Sequence, residues 1–314
     1  MQPAEKFRVL LFLAVVVMTY ALAGGVLVRL LLRRLGRVPP FSRQCDWMHQ
    51  IILGAATFGL LCMAYGYFIE PYWLEVTRVH LSSHKLLKDA RPIRIVHISD
   101  LHCDRKPRLE ERIPSLIAAE KPDLIVFTGD SVNEPAGIYV LKPLLKQLAA
   151  IAPTFAVRGN WDVWYWHKMD LFGGTGIREL NGNAVNVKIG STEVWLTGVW
   201  VDNEGQTLNA LKNIPPDAFT IFLHHYPDLI EEVVRRDVDL YCAGHTHGGQ
   251  VALPFYGALM TLSRFGKRYE AGLYRENNTW LYVNRGIGME GGTAPRVRFC
   301  ARPEITVIEI SPEK

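Results

Sequence analysis

The sequence predicts an α/β domain carried behind two transmembrane helices, and three observations carry that prediction. Two long uncharged apolar runs stand near the start of the chain. Short β-branched runs then alternate with segments of helical spacing. From about residue 186 the texture changes to closely spaced strand-like runs with short turns.

Val9 to Val28 is twenty residues without a charge, and Ile51 to Ile69 is nineteen. A bilayer core of roughly 30 Å takes about 20 apolar residues of helix. Spans are therefore expected at about residues 9–32 and 51–69, inside an anchor of residues 1–70. A cleavable signal peptide is the rival for the first run. Its apolar region is usually ~7–15 residues and ends in a small-x-small site, whereas Arg29, Arg33 and Arg34 follow here. A buried hairpin of soluble helices is the plainer alternative.

Of 35 basic and 31 acidic side chains, residues 1–70 hold seven and three, so the rest is balanced at 28 of each. The positive excess thus belongs to the anchor, and no nucleic-acid-binding face is expected. Five of the seven (Arg29, Arg33, Arg34, Arg37 and Arg43) lie between the two runs. Positive loops stay in the cytoplasm, which sends the large C-terminal part outside. Arg78, Lys85 and Lys88 beyond the second run work against that contrast. The five cysteines (Cys45, Cys62, Cys103, Cys242 and Cys300) form no CxxC pair, so neither a zinc knuckle nor a disulfide scaffold is indicated.

Residues 71–91 read as a linker, and a domain is expected over 92–314. IRIVHISD (93–100), DLIVFTGD (123–130), TFAVRGN (154–160), FTIFLHH (219–225) and VDLYCAGH (238–245) are apolar on successive positions, as fully buried strands are. Between the first three, Leu109, Ile113, Leu116, Ile117 and then Leu141, Leu144, Leu145, Leu148 recur at helical spacing. Strand–helix alternation predicts helices on both sides of a sheet. NVKIG, EVWLTGV, QVALPF, TWLYVNRG and EITVIEI suggest a second, more antiparallel sheet.

Each of the five strands ends in a polar cluster: Asp100/His102, Asp130, Asn160, His224/His225 and His245/His247. Ligands collect at the carboxyl ends of strands in α/β sheets. One such residue is more often a satisfied turn residue than a ligand; five clusters of only Asp, Asn and His are a pattern. Hard oxygen donors mixed with imidazole suit Mn, Fe or Zn. Seven ligands are too many for one tetrahedral ion and suit two ions about 3.5–4 Å apart that share a carboxylate. Such a pair generates a hydroxide and clamps a phosphate oxygen, so the residues by themselves point to a two-metal phosphoester hydrolase.

D-x-H (Asp100, His102), GD (Asp130), GN (Asn160), HHYPD (His225) and GHTHGGQ (His245, His247), with gaps of 30, 30, 65 and 20 residues, resemble the ordered motifs of the calcineurin-like metallophosphoesterases. FTGD, GHTHGGQVALPFYG, LYVNRG and RFCARPEI are similar to its membrane-tethered bacterial phosphodiesterase branch, which includes UDP-2,3-diacylglucosamine pyrophosphatases of lipid A synthesis. The resemblance covers roughly residues 92–310. It implies two packed β-sheets flanked by helices. It also implies Asp100, His102 and His247 on one divalent metal, Asn160, His225 and His245 on a second, and Asp130 bridging them. A multi-pass protein of a bacterial cell membrane follows, with a phosphoester substrate that is lipid-linked or nucleotide-linked.

The family usually follows GN with His-Asp, whereas this chain has Trp161-Asp162. Indole donates an N–H and does not titrate near neutrality, so Trp161 cannot be a general acid; contact with substrate is its expected role. Asp162 keeps the orienting position. Three readings follow. The leaving group is good enough without acid help, His167 or His224 supplies the acid, or the domain is a non-catalytic metal-binding membrane sensor. The density of Trp161, Trp164 and Trp166 suggests a site wall, against ordinary packing of the last two. Arg298 and Arg302 read as a solvated face, and Gly248-Gly249 as backbone passing close to the metals. The activity expected is hydrolysis of a phosphodiester or pyrophosphate by metal-bound hydroxide.

Overall fold

The computed structural model describes residues 2–39, 43–292 and 295–313. Two helices come first, α1 (Pro3–Arg34) and α2 (Arg43–Phe68), and Tyr20 Oη donates to Ala56 O across them at 3.2 Å. Both are long and apolar enough to cross a membrane, and side chains such as Leu10, Val17, Phe58 and Leu61 project outward unburied. The side chains of Arg43 and Cys45 lie outside the described residues.

The first sheet contains β1 (Glu75–Ser83), β2 (Ile93–Ile98), β3 (Leu124–Phe127), β4 (Thr154–Ala156) and the short β5 (Arg178–Glu179). The second contains β6 (Ala184–Ile189), β7 (Thr192–Gly198), β8 (Phe219–Leu223) and β9 (Leu240–Ala243). A hairpin of β10 (Ala252–Leu253) and β11 (Gly257–Ala258) stands apart. The second sheet is completed by β12 (Gly272–Glu276) and β13 (Thr279–Val283), and the first by β14 (Glu304–Pro312). The strand orders are β1-β14-β2-β3-β4-β5 and β12-β13-β9-β8-β7-β6.

Three details differ from the sequence reading. Residues 75–83, read as linker, form β1, which pairs in parallel with β14 from Glu75↔Glu304 to Ser83↔Pro312. FTIFLHH and VDLYCAGH belong to the second sheet, whose inner strands β7, β8, β9 and β13 run parallel; only its edge pairs are antiparallel. EITVIEI returns to the first sheet, antiparallel to β2. An unbroken apolar run shows that both faces of a strand are buried, and it does not say in which sheet.

Alternation along each strand divides the core. Ile93, Ile95, Leu124 and Val126 face Ile221, Leu223, Leu240 and Cys242 between the sheets. Val96, Ile98, Ile125 and Phe127 face outward onto α3 (Ile113–Ala119) and α4 (Ile138–Ile151). Leu141, Leu144, Leu145 and Leu148 form the buried stripe of α4, and burying each leucine contributes about 1.5–3 kcal/mol. Phe222, Tyr241, Leu281 and Val283 face Ile230 and Val233 on the other outer side.

The register fixes which end of the sheet meets the anchor. Glu75 follows closely on Phe68 and pairs with Glu304, while Thr306 pairs with His97. The carboxyl ends of β2, β3 and β4 therefore lie at the end where α2 delivers the chain.

Candidate metal centre

Five strands from the two sheets release their polar ends at one edge. Asp100 and His102 follow β2, Asp130 follows β3, Asn160 opens α5 (Asn160–Trp164) after β4, His224 and His225 follow β8, and His245 and His247 follow β9. The loops are stitched together by the backbone. Asp100 N–H donates to Gly129 O at 2.9 Å, His102 N–H to Asp130 O at 3.0 Å, and Gly244 N–H to His225 O at 2.9 Å. Asp100, His102, Asp130, His245 and His247 all take positive φ, between 42° and 70°. That region is sparsely populated by non-glycine residues and is tolerated where the surroundings over-determine it. Glycines precede the motif residues because space is absent: a Cβ on Gly159 would sit 2.2 Å from Asp130 Oδ1, and one on Gly244 2.3 Å from Asp100 Oδ2.

The side chains converge. Ligating atoms of Asp100, His102 and His247, and again of Asp100, Asp130 and His225, lie within 4.8 Å of one another. His225 Nε2 is 3.2 Å from Asp130 Oδ2 and 3.8 Å from Asp100 Oδ1; His247 Nε2 is 3.3 Å from Asp100 Oδ1. The His245 ring stands 5.1 Å from that of His225. Asn160, next to the Trp161 N–H that donates to Asp130, is buried. Asp100 Oδ1, both ring nitrogens of His102, Asn160 Oδ1 and His225 Nε2 are buried without a hydrogen-bond partner. Orphaned buried polar atoms are costly, and the oxygen and imidazole chemistry of the converging groups fits divalent cations.

The electrostatics agree. Burial opposes the charge of Asp100 and Asp130, yet His247, His225 and His102 hold Asp100 far below the usual carboxylate range, and His225 and His102 hold Asp130 below it. Burial also works against His225, but Asp130 and Asp100 push it up to about 9. The paired carboxylates thus favour positive charge at this point. Burial takes His102 down to about 4, leaving a neutral ring with a free lone pair.

Asp162 does not face this cluster. Its Oδ2 accepts from the N–H groups of Asp130 (2.9 Å) and Gly159 (3.0 Å), and its Oδ1 from Ser131 N–H (2.8 Å). It ties the Asp130 loop to the Asn160 loop. Burial and the nearby Asp130 raise its pKa to about 6.

Neither expected substitute acid is in place. His167 is exposed and meets Arg158 through its carbonyl oxygen at 3.4 Å. His224 is fully buried, its Nδ1 2.9 Å from Val199 O, and burial lowers its pKa to about 3. It is neutral near pH 7, and its Nε2 lies 3.7 Å from Glu204 Oε1.

The tryptophans separate. Trp161 sets its ring edge-on to His102 at 5.3 Å, and its backbone N–H donates to Asp130 Oδ1 at 2.8 Å. Trp166 packs against the outer core and donates to Val132 O at 2.9 Å; Trp164 is exposed and donates to Asp202 at 2.7 Å. Of the three indoles expected to form a wall, only Trp161 packs against one of the converging side chains; α5 ends at Trp164, so Trp166 lies beyond the helix and turns to the core.

Sequence reasoning missed Glu290. It lies near Trp161, and burial raises its pKa despite the nearby His247, with Asp130 and Asp100 adding to the rise. A lone Glu in IGMEGG carries no signal until folding sets it beside the indole. Arg298, expected on a solvated face, is fully buried. It donates to the carbonyls of Arg285 (2.8 Å), Ala301 (3.0 Å) and Gly286 (3.1 Å), with Nη2 3.2 Å from His247 Nδ1. Arg302 lies over Trp73 at 4.2 Å and reaches Glu75. A Cβ on Gly248 would lie 3.1 Å from Arg285 and one on Gly249 2.5 Å from Ala258, so both positions are tightly packed.

The fold and this centre define a metal-dependent phosphohydrolase. Residues 93–249 match the calcineurin-like phosphoesterase family, and the chain belongs to that family. It is 34% identical to the uncharacterized metallophosphoesterase YkuE of Bacillus subtilis, over 82% of this chain and 94% of that one. It is 32% identical to the phosphodiesterase YaeI of Escherichia coli, over 78% and 92%. It is 28% identical to the UDP-2,3-diacylglucosamine pyrophosphatase LpxG of Chlamydia trachomatis, over 76% and 90%.

Proposed function

We propose that this chain is a membrane-anchored phosphoesterase that holds two divalent cations and hydrolyses a phosphodiester or pyrophosphate bond. The observation that carries the reading is the cluster of orphaned donors between Asp100 and Asp130 at the edge of the sheets. In this reading Asp100, His102 and His247 hold one ion, Asn160, His225 and His245 the other, and Asp130 both. Cations bound there supply Lewis acidity and an activated water. The chain's own residues then do the rest. Asp162 holds the Asp130 backbone by accepting its N–H, the Trp161 N–H fixes Oδ1 of Asp130, the Trp161 indole covers the approach beside His102, and Glu290, near the indole with a raised pKa, is assigned the protonation of a leaving oxygen.

Three observations support a lipid-linked phosphoester as substrate. The centre opens at the sheet end that meets the anchor, both apolar helices leave their side chains unburied, and one relative is a pyrophosphatase named for a diacylated sugar nucleotide. In this reading α1 and α2 span a bacterial cell membrane, residues 71–74 connect them to a domain that begins with β1, and the basic loop keeps the domain on the outer face.

Purified protein loaded with Mn²⁺ is expected to hydrolyse bis(p-nitrophenyl) phosphate, and Asp130→Asn to lose both activity and bound metal. Wild type that binds metal and turns over no phosphoester would make it a sensor instead. A side-specific reporter fused to the C terminus tests the orientation.

A further inference from the structure

The anchor is not a loose tether. Glu5, at the start of α1, is 1% exposed, and its Oε1 accepts from Thr261 N–H at 2.8 Å and Thr261 Oγ1 at 2.9 Å. Glu70, just beyond α2, is equally buried; its carboxylate accepts from Cys300 N–H at 2.9 Å and Ala301 N–H at 2.5 Å. Gln2 adds a bond to Ser263 O, and Gly66 O accepts from Arg298 N–H at 2.9 Å. Each apolar helix is therefore clamped to a domain loop by a buried carboxylate with charge-assisted hydrogen bonds. The loops 261–264 and 298–301 are held at the level where the apolar runs begin and end.

The hairpin β10–β11 shares that level, because Val251 bridges to Phe299 and Phe299 packs on Tyr65 of α2. Its tip is Pro254-Phe255-Tyr256. Phe255 is fully exposed and carries φ +63°, while Tyr256 and, further along, Leu262 are also exposed. A bulky residue at positive φ with its whole ring in water is unfavourable twice over. Lys267, paired with Glu270 at 2.8 Å, lies 4.4 Å over the Tyr256 ring and donates to Tyr256 O at 2.6 Å. Aromatic rings flanked by Lys or Arg, at the height of helix ends, have the composition of a membrane–water interface.

We propose that the tip Phe255-Tyr256, together with Leu262, is a third membrane contact that seats in the lipid headgroup layer and holds the domain flat on the bilayer. It rests on the reading of α1 and α2 as spans. Its occupant is the lipid surface, because the patch continues the two helix ends and is held to both by the Glu5 and Glu70 clamps.

The test uses the full chain in phosphatidylcholine/phosphatidylglycerol vesicles, with a photoreactive p-benzoylphenylalanine placed singly at Phe58, Phe255, Leu262 or Leu87. Leu87, exposed between β1 and β2, is at the opposite end of the sheet. Adducts shifted by the mass of a phospholipid are expected at Phe58, Phe255 and Leu262, and none at Leu87. Lipid adducts at Phe58 alone would overturn the third contact and leave the spans standing. No lipid adduct even at Phe58 would overturn the spans and the contact with them. Protein–protein adducts at Phe255 would also overturn it, assigning the tip to another chain. As a second readout, Phe255→Asp is expected to keep turnover of soluble bis(p-nitrophenyl) phosphate and to lose the lipid adduct at Leu262.

Discussion

The Asp162 carboxylate reaches across two loops to the backbone of Asp130, accepting its N–H at 2.9 Å. A second carboxylate thus sets the direction of the one that sits centrally between His102 and His225. Asp162→Asn turns one acceptor into a donor facing backbone N–H groups. Its metal affinity is expected to fall about 10–100-fold, as for other groups that orient ligands, with the fold retained. Equilibrium dialysis against Mn²⁺ measures it; an undiminished affinity would reduce Asp162 to packing.

Trp161→His is the second expectation. In the proposed site the indole contributes its ring, while the Asp130 bond comes from the backbone N–H and survives any substitution other than proline. An imidazole there is expected to speed esters with poor leaving groups by up to about 100-fold, within the usual range for general acid help, and to leave p-nitrophenyl esters nearly unchanged. Glu290→Gln is expected to slow the poor esters selectively. Ratios of alkyl to p-nitrophenyl turnover decide both.

Arg298 holds a junction together from inside. Burial lowers its pKa to about 9, so it stays charged at pH 7 while its donors reach four carbonyl oxygens from Arg285 to Ala301. Arg298→Met removes a partner from each of those oxygens, of which Gly286 O keeps the Glu304 N–H, and a loss of about 1–3 kcal/mol for each buried oxygen left unpaired is expected. The midpoint of thermal unfolding in detergent reports it, and a shift no larger than that of an exposed control such as Arg275→Met would contradict the assignment.

His97 makes stability depend on pH. It is buried between the sheets, its Nε2 2.9 Å from Thr128 Oγ1, and burial lowers its pKa from 6.5 to about 3. The unfolded chain binds a proton below 6.5 and the folded one only near 3. The stability from this site is therefore complete above pH 6.5 and falls as pH drops towards 3, by at most about 1.4 kcal/mol per unit. His97→Gln should flatten that part of the profile of unfolding midpoint against pH; an unchanged slope would place the titration elsewhere.

The sequence by itself determined what a linear pattern can encode. The apolar runs of α1 and α2 are contiguous, and the polar ends of β2, β3, β4, β8 and β9 each follow directly on a buried strand. Strand direction then carries Asp100, Asp130, Asn160, His225 and His245 to one edge whichever sheet holds them. Tertiary structure decided what depends on approach in space. Residues 75–83 became a strand only because β14, far along the chain, supplied a partner. His167 was left in solvent and His224 was buried with its Nδ1 against Val199 O. Glu290, Arg298 and the clamps of Glu5 and Glu70 come from segments without pattern, since a single charged residue acquires its meaning from whichever backbone groups folding sets against it.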